Sequence, residues 1–310
     1  MDIADLQAEA ISFLANMRLA NVKDARGQRW LEIPGHVKGV IIAHKQGRAR
    51  REIRLRPHPN KEFFEETTTL LMSFFLSRFR PKVFFDVGSH KGYFSLLAAS
   101  HMAARPDVHA FDMQPIGIKR LNKAVQDLTL PGTIVGHVAG LSDCHRGNVR
   151  IWYAGTKMFE YEPDASEYRE AWWLRPKFAI QGNSDERALR SADVLLTTLD
   201  RFCADRELVP EFMKIDVDGY EGKVLQGARE ILHNAQPIIF LELHKDAKQR
   251  HGILRREVVA MIFDAGYAAL FMTGHHNREK CKLIPVGPDH PLFARQETDM
   301  VLFVPPRLSK

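Results

Sequence analysis

The chain has 310 residues, 45% hydrophobic and 26% charged, the balance of a globular protein with a full apolar core and not of a disordered or fibrous chain. Forty-four Lys and Arg against 38 Asp and Glu leave a net charge of +6, too small an excess to mark a nucleic-acid binder by itself. The cysteines, Cys144, Cys203 and Cys281, lie far apart and form no CxxC pair, which excludes a disulfide scaffold or cysteine zinc site and points to a reducing, cytoplasmic setting.

The start, Met-Asp-Ile-Ala-Asp, lacks the basic and apolar regions of a signal peptide. Residues 3–19 read as an amphipathic helix, 30–33, 37–43 and 52–55 as short strands, and 61–79 as a second helix stopped at Arg80-Pro81. Within that helix the apolar run at 70–76, broken by Ser73, is too short to span a bilayer, so no transmembrane segment is expected. Eleven cations and six acids fall in residues 1–60, most densely at 45–56. That stretch reads either as a solvated strand, with Ile53 and Leu55 alternating with Arg54 and Arg56, or as a surface that attracts anions. It has no aromatic residue for base stacking, and no nucleic-acid partner is expected. Residues 1–80 thus read as an α+β extension serving as a cap or a homodimer contact.

Beyond residue 82 the pattern is regular. Strands are expected at 83–86, 108–112 and 133–138, alternating with helices from Tyr93 and around Leu121, Ala124 and Val125. Residues 144–192 interrupt this order with aromatic and charged residues of little periodicity, as a functional insertion would. Alternation resumes with strands at 211–216 and 237–242 around a helix at 221–233. A helix at 254–264 and strands at 267–272 and 300–304 complete the set. The expected fold is α/β and Rossmann-like: a mostly parallel seven-stranded sheet with helices on both faces, spanning 81–310. Ligands of such folds bind beyond the carboxyl ends of the strands. Asp86, Asp112, Asp143, Asp216 and Glu242, which close successive strands, should therefore converge.

The loop Asp86-Val87-Gly88-Ser89-His90-Lys91-Gly92 joins a strand to a helix, with glycines where backbone must approach a ligand. It lacks the GxGxxG spacing of a dinucleotide loop and the Gly-Lys-Ser/Thr of a P-loop. An acid just before the turn repels phosphate but suits the ammonium of an amino-acid-bearing cofactor, which favours S-adenosylmethionine with Asp86, Gly88, Ser89, His90 and Gly92 around it. Asp112 can accept hydrogen bonds from both ribose hydroxyls. Asp143, beside Ser142, can accept from an adenine amino group or simply cap a turn.

Lys214-Ile215-Asp216-Val217-Asp218-Gly219-Tyr220-Glu221, then Val224-Leu225-Gln226-Gly227-Ala228 and the strand ending in Glu242, resemble the FkbM family of methyltransferases. Phe85-Asp86-Val87-Gly88, Gly92-Tyr93-Phe94 and Thr198-Leu199-Asp200 match the same pattern, which covers roughly residues 82–245. Asp218 departs from it, where Glu is usual, and so does Asp112-Met113-Gln114, where Glu-Pro-x is usual. The resemblance implies a class I methyltransferase fold and transfer of a methyl group from S-adenosylmethionine to a hydroxyl, or a carboxyl, of a sugar, natural product or peptide. The acceptor is thus expected to be a small molecule, glycan or peptide. The alternatives are a cofactor-binding partner protein without activity and, against the missing GxGxxG, an NAD-dependent oxidoreductase.

Candidate catalytic residues are His244, Glu242, Asp216 and Lys214. His244 follows Glu242 by two and shares its side of an extended strand; it reads either as a base or as a rim histidine. Asp216, Asp218 and Glu242 offer oxygen ligands for a divalent cation, or serve as caps for the helix after Gly219. Lys214, inside an apolar strand, needs a carboxylate partner.

Overall fold

Short apolar runs, each closed by a turn residue, dictate the architecture. A computed structural model describes residues 2–16, 20–23, 29–32, 39–40, 43–44, 53–55, 65–102, 105–127, 132–154, 157–159, 161–164, 189–245, 252–275 and 278–308. In chain order, α1 (Ile3–Asn16) precedes a small antiparallel sheet of β1 (Ala20–Lys23), β2 (Arg29–Glu32) and β3 (Gly39–Val40), and a pair, β4 (Ala43–His44) with β5 (Ile53–Leu55). Then come α2 (Glu66–Phe79), β6 (Val83–Val87), α3 (Tyr93–His101), β7 (Asp107–Asp112), α4 (Pro115–Asp127) and β8 (Thr133–Leu141). A hairpin, β9 (Gly147–Ala154) and β10 (Lys157–Phe159), leads to β11 (Arg190–Thr197), α5 (Leu199–Ala204), β12 (Phe212–Ile215) and α6 (Glu221–Gln226). The remainder is β13 (Ile238–Leu243), α7 (Arg255–Phe263), β14 (Ala268–Thr273), β15 (Lys282–Val286) and β16 (Asp299–Val304).

The main sheet has eleven strands in the order β10-β9-β11-β8-β7-β6-β12-β13-β16-β14-β15. The six from β11 to β13 run parallel, and every pairing outside that block is antiparallel. This corrects the expected seven-stranded, mostly parallel sheet to a mixed one. The seven anticipated strands stand side by side, from β8 to β14, and two sequence features hid the others. The stretch expected as an irregular insertion contains β9, β10 and the start of β11, whose first half, Arg190-Ser191-Ala192-Asp193, is too polar to read as a strand. β15 carries Pro285 and borders the sheet edge, where proline is tolerated. Most of the rest of the insertion, including Tyr168, Trp172, Trp173 and Phe178, lies outside the described residues, as does most of the basic 45–56 stretch.

Central strands are buried on both faces, so alternate side chains enter different cores. Phe84, Phe212, Ile238 and Phe240 join one cluster with Leu6, Ala10 and Leu14 of α1, and Leu70, Leu71 and Phe75 of α2. Phe85, Met213, Ile215, Ile239 and Leu241 join the other with Phe202, Val224, Leu225, Val258 and Ile262. The helices α1 and α2 therefore cover the sheet itself. No helix among the described residues is long and apolar enough to cross a membrane.

The helix expected over 221–233 is broken. A side chain at Gly227 would place its Cβ 2.0 Å from the Ser142 carbonyl oxygen, so only glycine lets the chain pass the end of β8. The chain resumes in a π-helical turn, Ile231–Ala235. Asp200 caps this restart, its two carboxylate oxygens accepting from the N–H groups of Glu230 (3.1 Å) and Ile231 (3.0 Å). Thr198 caps α5 by accepting from the Arg201 N–H. Replacing Asp200 by Ala orphans both donors and should lower stability by about 1 kcal/mol, read as a lower urea midpoint with an unchanged slope.

Candidate active site

The loop after β6 is held from both sides. Gly88 (φ 84°) and Gly92 (φ 79°) adopt left-handed conformations, and a Cβ on Gly88 would lie 1.8 Å from the Asp216 carbonyl oxygen. The loop after β6 and the loop after β12 thus touch backbone to backbone. Asp112, ending β7, fastens the first loop: its Oδ2 accepts from the His90 N–H and its Oδ1 from the Gln114 N–H, both at 2.7 Å. Burial pushes its carboxyl up to about 6, with those two donors pulling the other way. Each oxygen keeps one lone pair for a further donor.

Asp86 is buried beneath this loop, where its Oδ2 accepts from the Ser95 hydroxyl at 2.5 Å. Its Oδ1 and the Ser89 hydroxyl are also buried, and neither has a partner among the described residues. Burial raises the Asp86 carboxyl despite the nearby Lys214. A buried, half-satisfied acid beside a glycine turn is suited to a cation with N–H donors.

The second half of the site surrounds Lys214 of β12. Its ammonium, 1% exposed, lies 2.7 Å from Asp216 Oδ2 and 4.7 Å from the centre of the Phe94 ring. Burial alone would depress it, but Asp216, Asp86, Glu65 and Glu242 together hold it above the usual lysine range. Burial would likewise raise Asp216, yet Lys214 keeps it ionised and well below the usual carboxylate range. Glu242 is hydrogen-bonded to Asp216, and burial together with that neighbouring charge pushes it up to about 8. The two therefore titrate as a pair, with Glu242 keeping a proton more readily than Asp216.

His244 lies just past β13. Its Nδ1 is 2.8 Å from Glu221 Oε1, and its Nε2 faces Asp218 at 3.6 Å and Asp216 at 3.9 Å. Burial opposes its charge, but Glu221, Glu242 and Asp216 raise it to about 9. Glu221, 1% exposed, also accepts from the Gly219 N–H, so it performs the loop capping considered for Asp216 and Asp218. Asp218 itself is left-handed (φ 55°) and largely exposed.

Of the five strand-end acids expected to converge, Asp86, Asp216 and Glu242 surround Lys214, and Asp112 adjoins them. Asp143 stands apart in an ion pair, its Oδ2 2.5 Å from Lys223 Nζ and its Oδ1 accepting from Ser142. Lys223 holds it below the usual carboxylate range. Ligand atoms of Asp216, Glu242 and His244 lie within 4.8 Å of one another, a spacing that suits a metal ion. The Lys214 ammonium, however, already neutralises that cluster, and His244 Nδ1 is committed to Glu221.

Glu65 and Glu221 belong to this cluster although neither was a candidate from sequence. Glu221 was visible within the Gly219-Tyr220-Glu221 motif. Glu65 had no signal, being distant in sequence and preceding a helix.

The model of the methyltransferase FkbM domain matches residues 86–269, more than half of the chain. The chain belongs to the FkbM methyltransferase family. That assignment speaks for methyl transfer and against the NAD-dependent alternative. No curated protein matches the FkbM chain significantly. Among solved structures it is similar to the methyltransferase FkbM from Methylobacillus flagellatus KT (15% identity, TM-score 0.39), over 72% of this chain and 43% of that one. It thus spans less than half the length of that relative. It is also similar to an O-methyltransferase from Bacillus cereus in complex with SAH (8% identity, TM-score 0.39, 77% and 80% of the two chains). A third is Aeropyrum pernix fibrillarin with natively bound S-adenosyl-L-methionine (11% identity, TM-score 0.39, 93% and 98%).

Proposed function

We infer that this FkbM protein is an O-methyltransferase whose acceptor is a hydroxyl of a sugar, natural product or peptide. The observation that carries this reading is the unpartnered Asp86 Oδ1 beneath the glycine turn, in backbone contact with the loop that bears Asp216. Asp86 would bind the cofactor's amino group, Gly88, Ser89, His90 and Gly92 would line its backbone path, and Asp112 would hold the ribose hydroxyls. Asp143 and Ser142 would meet the adenine, Asp143 exchanging part of its ion pair with Lys223. The bound cofactor supplies a methyl group already activated on sulfonium.

What the protein must then provide is alignment, exclusion of water and a destination for the hydroxyl proton. Asp216, kept ionised by Lys214, faces His244 Nε2 at 3.9 Å and stabilises the positive charge that the imidazole gains with the hydroxyl proton. His244 takes the proton at Nε2, because Nδ1 is held by Glu221. Glu242, holding its own proton, leaves the charge of Asp216 undivided. No divalent cation enters this scheme, since Lys214 supplies the positive charge.

Calorimetry with S-adenosylhomocysteine tests the cofactor half. Wild type should bind, and Asp86→Asn should weaken binding at least tenfold; equal affinity in the two would sink the assignment. The acceptor half predicts a pH effect. His244 has its pKa raised to about 9 from 6.5, so neutral imidazole, and with it turnover, should grow as pH rises toward 9. Stability runs the opposite way. The charged form is favoured in the fold, so His244 contributes about 3 kcal/mol below pH 6.5, lost as pH rises through 9. His244→Asn should flatten the rate profile and narrow the stability difference between pH 6 and pH 9.5. An unchanged rate profile removes His244 as the base.

A further inference from the structure

Glu65 combines two unfavourable features at one residue. It is left-handed (φ 42°, ψ 62°) without being glycine, and its Oε2 is buried with no hydrogen-bond partner among the described residues. Neither is needed to start α2, because Glu65 gives that helix no side-chain cap. Strain and an unsatisfied polar atom at the same place are what a ligand-binding position retains and a purely structural one loses.

Its surroundings indicate the ligand. The first turn of α2 is tied to both halves of the active site: the Thr69 hydroxyl lies 2.9 Å from the Tyr93 hydroxyl, next to Gly92, and Thr68 donates to the His275 carbonyl at 3.4 Å. His275 Nε2 is in turn 3.6 Å from Glu242. Burial raises the Glu65 carboxyl to about 8, and it feels the charges of Lys214, Glu242, Asp216 and His244, so it belongs electrostatically to the active-site cluster. Glu65 also lies outside residues 86–269, the span of the family match.

We propose that Glu65 is a specificity-determining residue of the acceptor pocket, its buried carboxyl hydrogen-bonding a second hydroxyl of an uncharged polyhydroxy acceptor. Glu65 and Glu242, both raised to about 8 by burial, offer such an acceptor hydrogen-bond donors as well as acceptors, while the charge of Asp216 disfavours a phosphate or carboxylate in the same place. The proposal rests on the methyltransferase reading, and the following measurements separate the two.

Wild type, Glu65→Gly and Glu65→Gln are compared for melting temperature without ligand and for S-adenosylhomocysteine affinity. Binding of methyl α-glucoside and of glucose 6-phosphate to the S-adenosylhomocysteine-loaded proteins is followed by ligand-observed NMR. Glu65→Gly relieves the left-handed strain and removes the unpartnered oxygen, so its melting temperature should rise by about 2 °C. Cofactor-product affinity should stay within twofold in both variants. Methyl α-glucoside should bind wild type in preference to glucose 6-phosphate, at least fivefold more weakly to Glu65→Gly, and within twofold of wild type to Glu65→Gln. A fall in melting temperature for Glu65→Gly makes the residue structural and overturns the proposal. So does equal or better binding of the phosphate, or failure of methyl α-glucoside to bind the loaded wild type. Failure of wild type to bind S-adenosylhomocysteine overturns instead the methyltransferase reading beneath it.

Discussion

Lys214→Met should unfold about 10 °C below wild type and show no measurable methyl transfer. Methionine fills nearly the same volume, so the loss isolates the charge. Without the ammonium, Asp216, itself only partly exposed, loses a partner at 2.7 Å and stays beside the carboxyls of Asp86, Glu65 and Glu242. Removing one member of a buried ion pair costs about 3–5 kcal/mol, chiefly because the remaining charge is left uncompensated. At roughly 2–4 °C per kcal/mol for a domain of some 200 residues, that gives the expected shift. The deficit should shrink as pH falls, because Asp216 can then take the proton that replaces its partner. Urea titrations at pH 7.5 and pH 5 measure this directly. An equal deficit at both values would mean that packing, and not charge, holds Lys214 in place.

Gly88→Ala is expected to lose cofactor binding almost completely. The new methyl group would sit 1.8 Å from the Asp216 carbonyl oxygen and 2.8 Å from its carbon, and both belong to backbone that cannot rotate away. Alanine is also strained at φ 84°. Together these effects should cost about 3 kcal/mol in stability, from overpacking and backbone strain. The two loops would also separate by an ångström or more, so S-adenosylhomocysteine affinity should fall at least a hundredfold. Gly147 is the control. It too has positive φ (69°), but nothing lies within 4 Å of its Cβ position, so Gly147→Ala should cost only the backbone strain and leave affinity unchanged. Equal losses in the two variants would show that conformational strain, and not the contact between loops, is responsible.

The central strands were legible because they are buried on both faces: Val83-Phe84-Phe85 and Ile238-Ile239-Phe240-Leu241 are unbroken apolar runs of strand length. β11 was not, since half of it faces solvent and its apolar half alone is too short to stand out. Nor was the break at Gly227, which is set by the distant Ser142 carbonyl. In the site, Asp86, Asp216, Glu242 and His244 could be placed because each closes a strand, and strand ends share one edge of a parallel block. Their protonation could not, since it depends on the number of carboxylates that meet at Lys214. Asp143 shows the same limit. Its position was evident, but its ion pair joins residues 80 apart. Glu65 escaped entirely, because nothing local distinguishes an acid before a helix that caps it from one that reaches elsewhere.

β16 comes last in sequence among the described strands, yet it sits inside the sheet between β13 and β14. During synthesis, β13 emerges with Glu242 in place but one side unpaired, and β14 emerges with no neighbour toward β13, until residues 299–304 leave the ribosome. The β13 edge therefore stays open through the production of more than fifty further residues and the β14 edge through 25 (residues 274–298), a period in which self-association competes with folding. A ribosome that stalled after β15 would release a chain with nearly all of its active-site residues and an incomplete sheet, a substrate for chaperones rather than a smaller enzyme.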